Sequence, residues 1–350
     1  MIDVGLVGFG LAGRYFHAPV IQAVKGLRVA AILQRASDSA AQLYPDAKLV
    51  RTIDDLLAIE SLKLIVIATP NQSHFPLAKH CLEAGRHVVV DKPFTLNVPE
   101  ALELIALARS KQLILTVYHD RRFDADFQAL RNVVDSGELG RITRFESTYD
   151  RYRPTPKPGA WREQPGPGSG IFFDLSPHLF DQAFTLLGTP EAITADIRIE
   201  RLGFTTDDAF DVLLHYPAGV RALLRATMLS ASPRPRMVVL AQNGSYVKRD
   251  FDPLELTLRA GQIPADGNWA LEKQENWGEL TLVKDGNSTS RRVPSIGDWR
   301  DFYTNVRDAI LGTAPLLVTP QQILGVMVAM ELAIQSSSER QTLPWRHFDA

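Results

Sequence analysis

Three glycines near the N-terminus leave few folds open to this chain. The apolar run Val4-Gly-Leu-Val passes directly into Gly8-x-Gly10-x-x-Gly13, and a helical pattern follows. Gly8 suits a tight turn out of a strand, Gly10 lets backbone approach a pyrophosphate, and Gly13 lets a helix pack closely on the sheet. Free N–H groups and the positive dipole end of that helix favour phosphate. Glycines at this spacing also occur in ordinary turns. Here strand, loop and helix come in the required order, so Gly8, Phe9, Gly10, Leu11, Ala12 and Gly13 are read as a dinucleotide loop.

The next hundred residues repeat strand and helix. Strands are expected at Leu27–Gln34, Leu64–Ala68, His87–Asp91 and Leu113–Tyr118. Helices are expected at Ser37–Leu43, Asp54–Ile59, Ser73–Ala84 and from Asn97-Val-Pro-Glu100 to about Lys111. Asn97 and Glu100 carry a capping-box signal, and Gly85 suits a left-handed helix end. Short strands with helical crossovers imply a doubly wound parallel sheet whose ligands sit at the strands' carboxyl ends.

After Asp120 the pattern changes. A helix over Asp124–Ser136 is followed by strands at Ile142–Arg153, Ala192–Arg201, Ala209–Tyr216, Val220–Leu229, Arg236–Ala241 and Gly244–Asp250. Turns at Tyr216-Pro-Ala-Gly219 and Gln242-Asn-Gly244 read as hairpins. Helices at Trp299–Leu311 and Pro320–Ser336 close the chain, the second capped by Thr319 with Gln322 three residues on. The expected fold is an α/β Rossmann domain over 1–120 plus an α+β domain over 121–350 with a large, mostly antiparallel open sheet. The late helices are free to pack back on the first domain. The length of 350 residues suits two domains. The Pro/Gly-rich stretch Pro154–Gly170 reads as a loop walling a site.

Composition narrows the partners. A net charge of −2 without a basic run argues against nucleic acid or an anionic membrane. The single cysteine, Cys81, excludes an intrachain disulfide and cysteine-based metal clusters. With a strand from the second residue and no apolar run of spanning length, a soluble, cytoplasmic protein without a signal peptide is expected.

Four strand ends or loops carry candidate chemistry. The second strand ends in Gln34-Arg35-Ala36-Ser37-Asp38. Arg35 there suits a 2′-phosphate and hence NADP, while Asp38 could instead hold a ribose hydroxyl and hence NAD. Thr69, Asn71 and His74 follow the next strand and either line a cofactor or form a turn with Ser73 as a helix cap. Lys92, after the strand ending at Asp91, sits where a reacting carbonyl belongs and can stabilise a developing alkoxide. Asp174, His178 and Asp181 fall at i, i+4 and i+7 on one helical stripe. His178 is suited to carry the hydroxyl proton that accompanies hydride transfer. No metal-ligand spacing accompanies them.

Taken together, these motifs resemble the Gfo/Idh/MocA family of NAD(P)-dependent oxidoreductases over essentially the whole chain. Ala68-Thr69-Pro70-Asn71-x-x-His74 is similar to the family's second signature. Asp91-Lys92-Pro93 resembles its Glu-Lys-Pro motif, and Gly168–His178 its Asp-x-x-x-His motif. Arg14–Pro19, His119–Asp124 and Tyr149–Pro154 resemble the NADP-dependent scyllo-inositol dehydrogenase branch. The resemblance implies a catalytic group of Lys92, Asp174 and His178, with Asp174 orienting either partner. It also implies a Lys92–Pro93 peptide that is often cis, Trp161 and Arg162 near the cofactor, and His119, Asp120 and Tyr152 as substrate contacts. A homodimer or homotetramer through the open sheet and a cyclic polyol or sugar substrate follow from the same resemblance. Two departures stand out: Asp91 replaces the family's usual Glu, and Asp120 stands where many relatives carry Asn. A non-catalytic NADP-binding sensor and an NAD-assisted glycosidase remain open as rival readings.

Overall fold

The computed structural model describes residues 1–156, 159, 161–264 and 269–348. In chain order the strands are β1 Ile2–Val7, β2 Leu27–Leu33, β3 Lys48–Val50, β4 Leu62–Ile67, β5 His87–Val90, β6 Leu115–Val117, β7 Ile142–Asp150, β8 Ala192–Arg198, β9 Ala209–His215, β10 Arg221–Thr227, β11 Met237–Ala241, β12 Gly244–Lys248, β13 Gly278–Lys284, β14 Asn287–Val293 and β15 Leu343–Pro344. The helices are α1 Ala18–Gln22, α2 Ser39–Leu43, α3 Ile53–Leu57, α4 His74–Glu83, α5 Val98–Ser110, α6 Ala125–Asp135, α7 Gly170–Leu187, α8 Leu254–Arg259, α9 Arg300–Ile310 and α10 Pro320–Glu339.

β1 to β6 form one all-parallel sheet in the order β3-β2-β1-β4-β5-β6. Its centre is an unbroken apolar run: Leu64, Ile65, Val66 and Ile67 of β4 are fully buried, as a strand covered by helices on both faces requires. Strand order reverses between β1 and β4, which opens the crevice above their carboxyl ends. The edge strand β3 completes the six strands and lies in none of the spans expected above.

The glycine loop leads into a π-helix over Ala12–His17, which runs on into α1. Ala18 N–H bonds to the Gly13 carbonyl, five residues back. Pro19, the next residue, has no N–H for an ordinary helical bond, and the wider π turn accommodates it.

β7 to β15 form a second sheet of nine strands, ordered β14-β13-β12-β11-β7-β10-β9-β8-β15. It is antiparallel throughout except where β10 runs parallel to β7. On β10 the inward Ala222, Leu224 and Ala226 are buried, while Arg221, Leu223, Arg225 and Thr227 on the other face stay half-exposed. That outer face is laced by Arg225–Asp211 at 3.5 Å, Arg198–Asp211 at 2.8 Å and Arg144–Glu146 at 3.5 Å.

Both late helices touch the first sheet's layers. α10 packs on α5 and β6 as well as on α7 and β8, and α9 packs on α1. Thr116 Oγ1 donates to the Val318 carbonyl at 2.8 Å, tying β6 to the start of α10. The capping box of Thr319 and Gln322 is formed in full. No helix among the described residues is long and apolar enough to cross a membrane.

Candidate active site

The glycine loop is built as its residue types demand. Gly8 has φ 97°, and a Cβ on it or on Gly13 would overlap backbone, the Ala68 carbonyl and the Gly8 carbonyl respectively. Gly10 differs, since nothing lies within 4 Å of an ideal Cβ there. Internal packing therefore explains Gly8 and Gly13, and the open space before Gly10 is a cradle that a side chain would fill. Phe9 is buried edge-on to Tyr44 at 5.9 Å, while Leu11 is exposed and Ala12 packs against the core. These residues fit a dinucleotide pyrophosphate.

At the end of β2, Arg35 is exposed and makes no ion pair among the described residues. Arg51, absent from the expected site, organises this corner. Its Nη1 donates to the Gln34 carbonyl at 2.7 Å and the Ser37 carbonyl at 2.8 Å, and its Nη2 pairs with Asp38. The acid at this strand end is thus already partnered to a guanidinium.

Thr69, Asn71 and His74 act on the protein itself. Asn71 Nδ2 donates to the Gly168 carbonyl at 2.9 Å, joining the β4 end to the Pro/Gly loop. His74 is fully buried, with Nδ1 at 2.8 Å from the Pro93 carbonyl and Nε2 at 2.9 Å from the Thr69 carbonyl. Cofactor contact by His74 is therefore corrected to a brace between two strand-end loops. Burial holds its imidazole below the ordinary histidine pKa. The Ser73 cap is corrected too, since its hydroxyl bonds Thr69 Oγ1 and the Pro70 carbonyl and no helix N–H.

The Lys92–Pro93 peptide is cis. Lys92 Nζ donates to the Asp174 carbonyl at 2.6 Å and to Asp174 Oδ1 at 3.1 Å. Asp174 sits in the first turns of α7, where Pro177 has no N–H to give to the Phe173 carbonyl. Arg162 Nε lies 3.1 Å from the same Asp174 oxygen. Burial works against ionisation of Asp174, but Lys92 and Arg162 outweigh it and hold the carboxyl well below the usual range. The shorter acid at position 91 still reaches its neighbours: Asp91 Oδ1 accepts from Lys92 N at 2.8 Å, and Oδ2 faces His17 Nε2 at 3.9 Å. Burial opposes this carboxylate as well, yet His17 and Lys92 bring it to about 2.

His178, one turn beyond Asp174, is buried beside Lys92 and Arg121, and burial first and these cations second push its pKa well down. Asp174 makes no ion pair with it among the described residues. The carboxylate within reach of His178 is Asp120, whose Oδ1 lies 3.6 Å from Nδ1. The expected role of Asp174 toward either partner is thus corrected to Lys92 alone. Asp181, third on the sequence stripe, is buried away from Lys92 and pairs with Arg122. His119 is buried, with Nε2 4.0 Å from Asp181. Tyr152 is 60 % exposed on the strand segment bridging to Leu229. The Trp161 side chain lies outside the described residues, as do residues 157, 158 and 160 of the same loop.

Asp207 was not legible from the sequence. Its Oδ2 accepts from Phe172 N at 2.6 Å and its carbonyl accepts from Ile171 N at 2.9 Å, which caps α7 and so aims Asp174 and His178. Gly170 is required there, because a Cβ would overlap the Asp207 carboxylate. Burial pushes this carboxyl up to about 6.

Comparison with known proteins agrees with this architecture. Residues 2–119 match the oxidoreductase family NAD-binding Rossmann fold of GFO/IDH/MocA, and residues 127–247 match the GFO/IDH/MocA C-terminal domain. The chain is 41 % identical to the uncharacterized oxidoreductase YdgJ of Escherichia coli, over 98 % of both chains. It is 31 % identical to the NADP(+) scyllo-inositol 2-dehydrogenase IolW of Bacillus subtilis, over 99 % of this chain and 96 % of that one. Among solved structures, an oxidoreductase from Bacillus cereus superposes with a TM-score of 0.92 at 29 % identity, covering all of both chains. With a glycine cradle at the β1–β4 crevice and Lys92 bonded to Asp174 at the end of β5, the chain belongs to the Gfo/Idh/MocA family of NAD(P)-binding oxidoreductases.

Proposed function

We propose that this protein is an NADP-dependent dehydrogenase that interconverts a secondary alcohol and a ketone on a cyclic polyol or sugar. The observation that carries the reading is the Lys92–Asp174 contact at the carboxyl end of β5, with His178 one turn beyond Asp174 on α7. The nicotinamide supplies a hydride acceptor when bound. Burial holds His178 as a neutral imidazole, the form that can take the hydroxyl proton in one direction and return it in the other. Lys92, anchored by Asp174, offers its remaining N–H to the reacting oxygen and stabilises negative charge there.

Arg35 favours NADP because, among the described residues, it stands without an ion-pair partner at the ribose end of the cradle, while Asp38 is held by Arg51. The similarity to a scyllo-inositol 2-dehydrogenase supports an inositol-like substrate. We further propose a boundary near residue 120 between a cofactor-binding and a substrate-binding domain, cytoplasmic residence, and a homodimer or homotetramer formed through the half-exposed outer face of the nine-stranded sheet.

A panel of inositols and aldoses, assayed with NADP and NAD in parallel by the absorbance of the reduced nicotinamide, tests the reaction. Turnover with NADP is expected. His178→Ala and Lys92→Ala should each lose about 10²–10⁴-fold in turnover with cofactor affinity nearly unchanged. Turnover within about tenfold of wild type in both variants would overturn the assignment.

A further inference from the structure

The buried carboxylate of Asp120 sits between two buried nitrogens that hydrogen-bond to nothing among the described residues, His178 Nδ1 and Arg121 Nε. Oδ1 faces the imidazole at 3.6 Å and Oδ2 faces the guanidinium at 3.9 Å. Each separation is within about 1 Å of hydrogen-bond length. A buried donor without an acceptor is costly, so the arrangement favours a small closure onto the carboxylate. Nδ1 is the ring nitrogen turned inward. Nε2 makes no bond among the described residues and is not one of the buried unpartnered atoms, so it is the nitrogen with access to solvent.

We infer that Asp120 is a positioning residue for His178, accepting a proton-bearing Nδ1 and so leaving the Nε2 lone pair directed at the reacting hydroxyl. This inference rests on the reading of His178 as the proton-transfer group. Asp174, the other carboxylate of the site, is occupied by Lys92 and Arg162 and cannot serve. The charged and titratable groups that act most strongly on His178 are Lys92, Arg121, His119 and Arg236, and none is an acid. Among the described residues, Asp120 is the acid that forms an ion pair with His178. An Asn, with one acceptor oxygen and no charge, would satisfy the same nitrogen less firmly.

The pair also has a built-in pH response. Burial above all opposes the Asp120 carboxylate, with Asp91 and Glu255 adding to it, while Arg121 and Lys92 favour it, and the carboxyl is pushed up to about 6. The Tyr118 and Tyr303 phenols, held neutral by burial, complete the surroundings. Below that pH a protonated Asp120 can donate its O–H to Nδ1, which shifts the ring proton to Nε2. As pH rises through about 6, the lone pair returns to Nε2.

The test needs neither substrate nor turnover, so its failure is separable from failure of the proposed reaction. The full-length protein is labelled with 15N-histidine, and the His178 signals are identified by their loss in His178→Gln. Above about pH 7, two-bond 15N–1H correlations should show the Nδ1–H tautomer in wild type and the Nε2–H tautomer in Asp120→Ala. In Asp120→Asn, the change of tautomer with pH should vanish. Nε2–H in the wild-type protein above that pH, or the same tautomer in wild type and Asp120→Ala, would overturn the inference. Should Asp120→Ala not fold, a tautomer change with pH that persists in Asp120→Asn overturns it equally.

Discussion

Replacing Gly10 and Gly13 by alanine separates cofactor recognition from folding. At Gly13 an added methyl would overlap the Gly8 carbonyl, which is backbone and cannot rotate away. Overpacking of this kind costs about 1–3 kcal/mol. Gly13→Ala should therefore lower the thermal midpoint of the cofactor-free protein. At Gly10 nothing lies within 4 Å of the new methyl, and the backbone is outside the left-handed region. The free protein should be unchanged or gain roughly 0.4–1 kcal/mol from a less mobile unfolded chain. The same methyl occupies the space that a pyrophosphate needs. A clash of about 1–3 kcal/mol translates into roughly 5- to 150-fold weaker binding, at about 1.4 kcal/mol per tenfold. Thermal unfolding without cofactor and calorimetric titration with NADP measure the two effects independently. Wild-type affinity in Gly10→Ala would refute the cradle, and unchanged stability in Gly13→Ala would refute the packing argument.

Other substitutions give equally direct outcomes. Arg35→Ala should weaken NADP by about 10- to 100-fold, the loss of one charge-assisted contact, and leave NAD nearly unaffected; equal effects on both cofactors in parallel titrations would exclude a 2′-phosphate role. Arg51→Ala should free Asp38 and loosen the Gln34–Ser37 turn, so the NADP-to-NAD affinity ratio falls, and an unchanged ratio would remove Arg51 from cofactor selection. Asp252 accepts hydrogen bonds from the Ala125 and Leu254 amides, and burial, reinforced by Asp126, raises its carboxyl pKa. A folded pKa above the unfolded one means that the native state binds the proton more tightly. Its contribution is complete below the unfolded carboxylate pKa and is lost as pH rises through the folded one, so thermal unfolding should show a decline with pH over that window that Asp252→Asn flattens. Thr319→Ala should cost about 1 kcal/mol by chemical denaturation, because it removes the acceptor for Gln322 N and half of a formed capping box.

Much of the site was legible because its chemistry is tied to chain punctuation. Gly8, Gly10 and Gly13 announce the cradle by spacing, and Lys92 announces itself by following a buried strand. Asp174 and His178 share a helical face that the sequence period alone defines. The outer strands were harder to read. β14, Asn287–Val293, is exposed along nearly its whole length and has no apolar alternation to betray it. The Asp285-Gly286 pair between β13 and β14, with φ of 48° and 77°, was the available hairpin signal. Asp207 and Arg51 act through backbone amides and carbonyls, for which side-chain patterning offers no sign.

The local sequence by itself determined where most strands, turns and helices begin, since glycine, proline, capping residues and hydrophobic period act over a few residues. Tertiary structure alone decided which charges meet. Asp181 lies on the stripe of Asp174 and His178, yet burial against Arg122 removes it from the site. Asp120 is far from His178 in the chain and reaches it only because the segment after β6 and the helix α7 converge. Electrostatic partners are selected by distance and by exclusion of water, and neither is written in residue order.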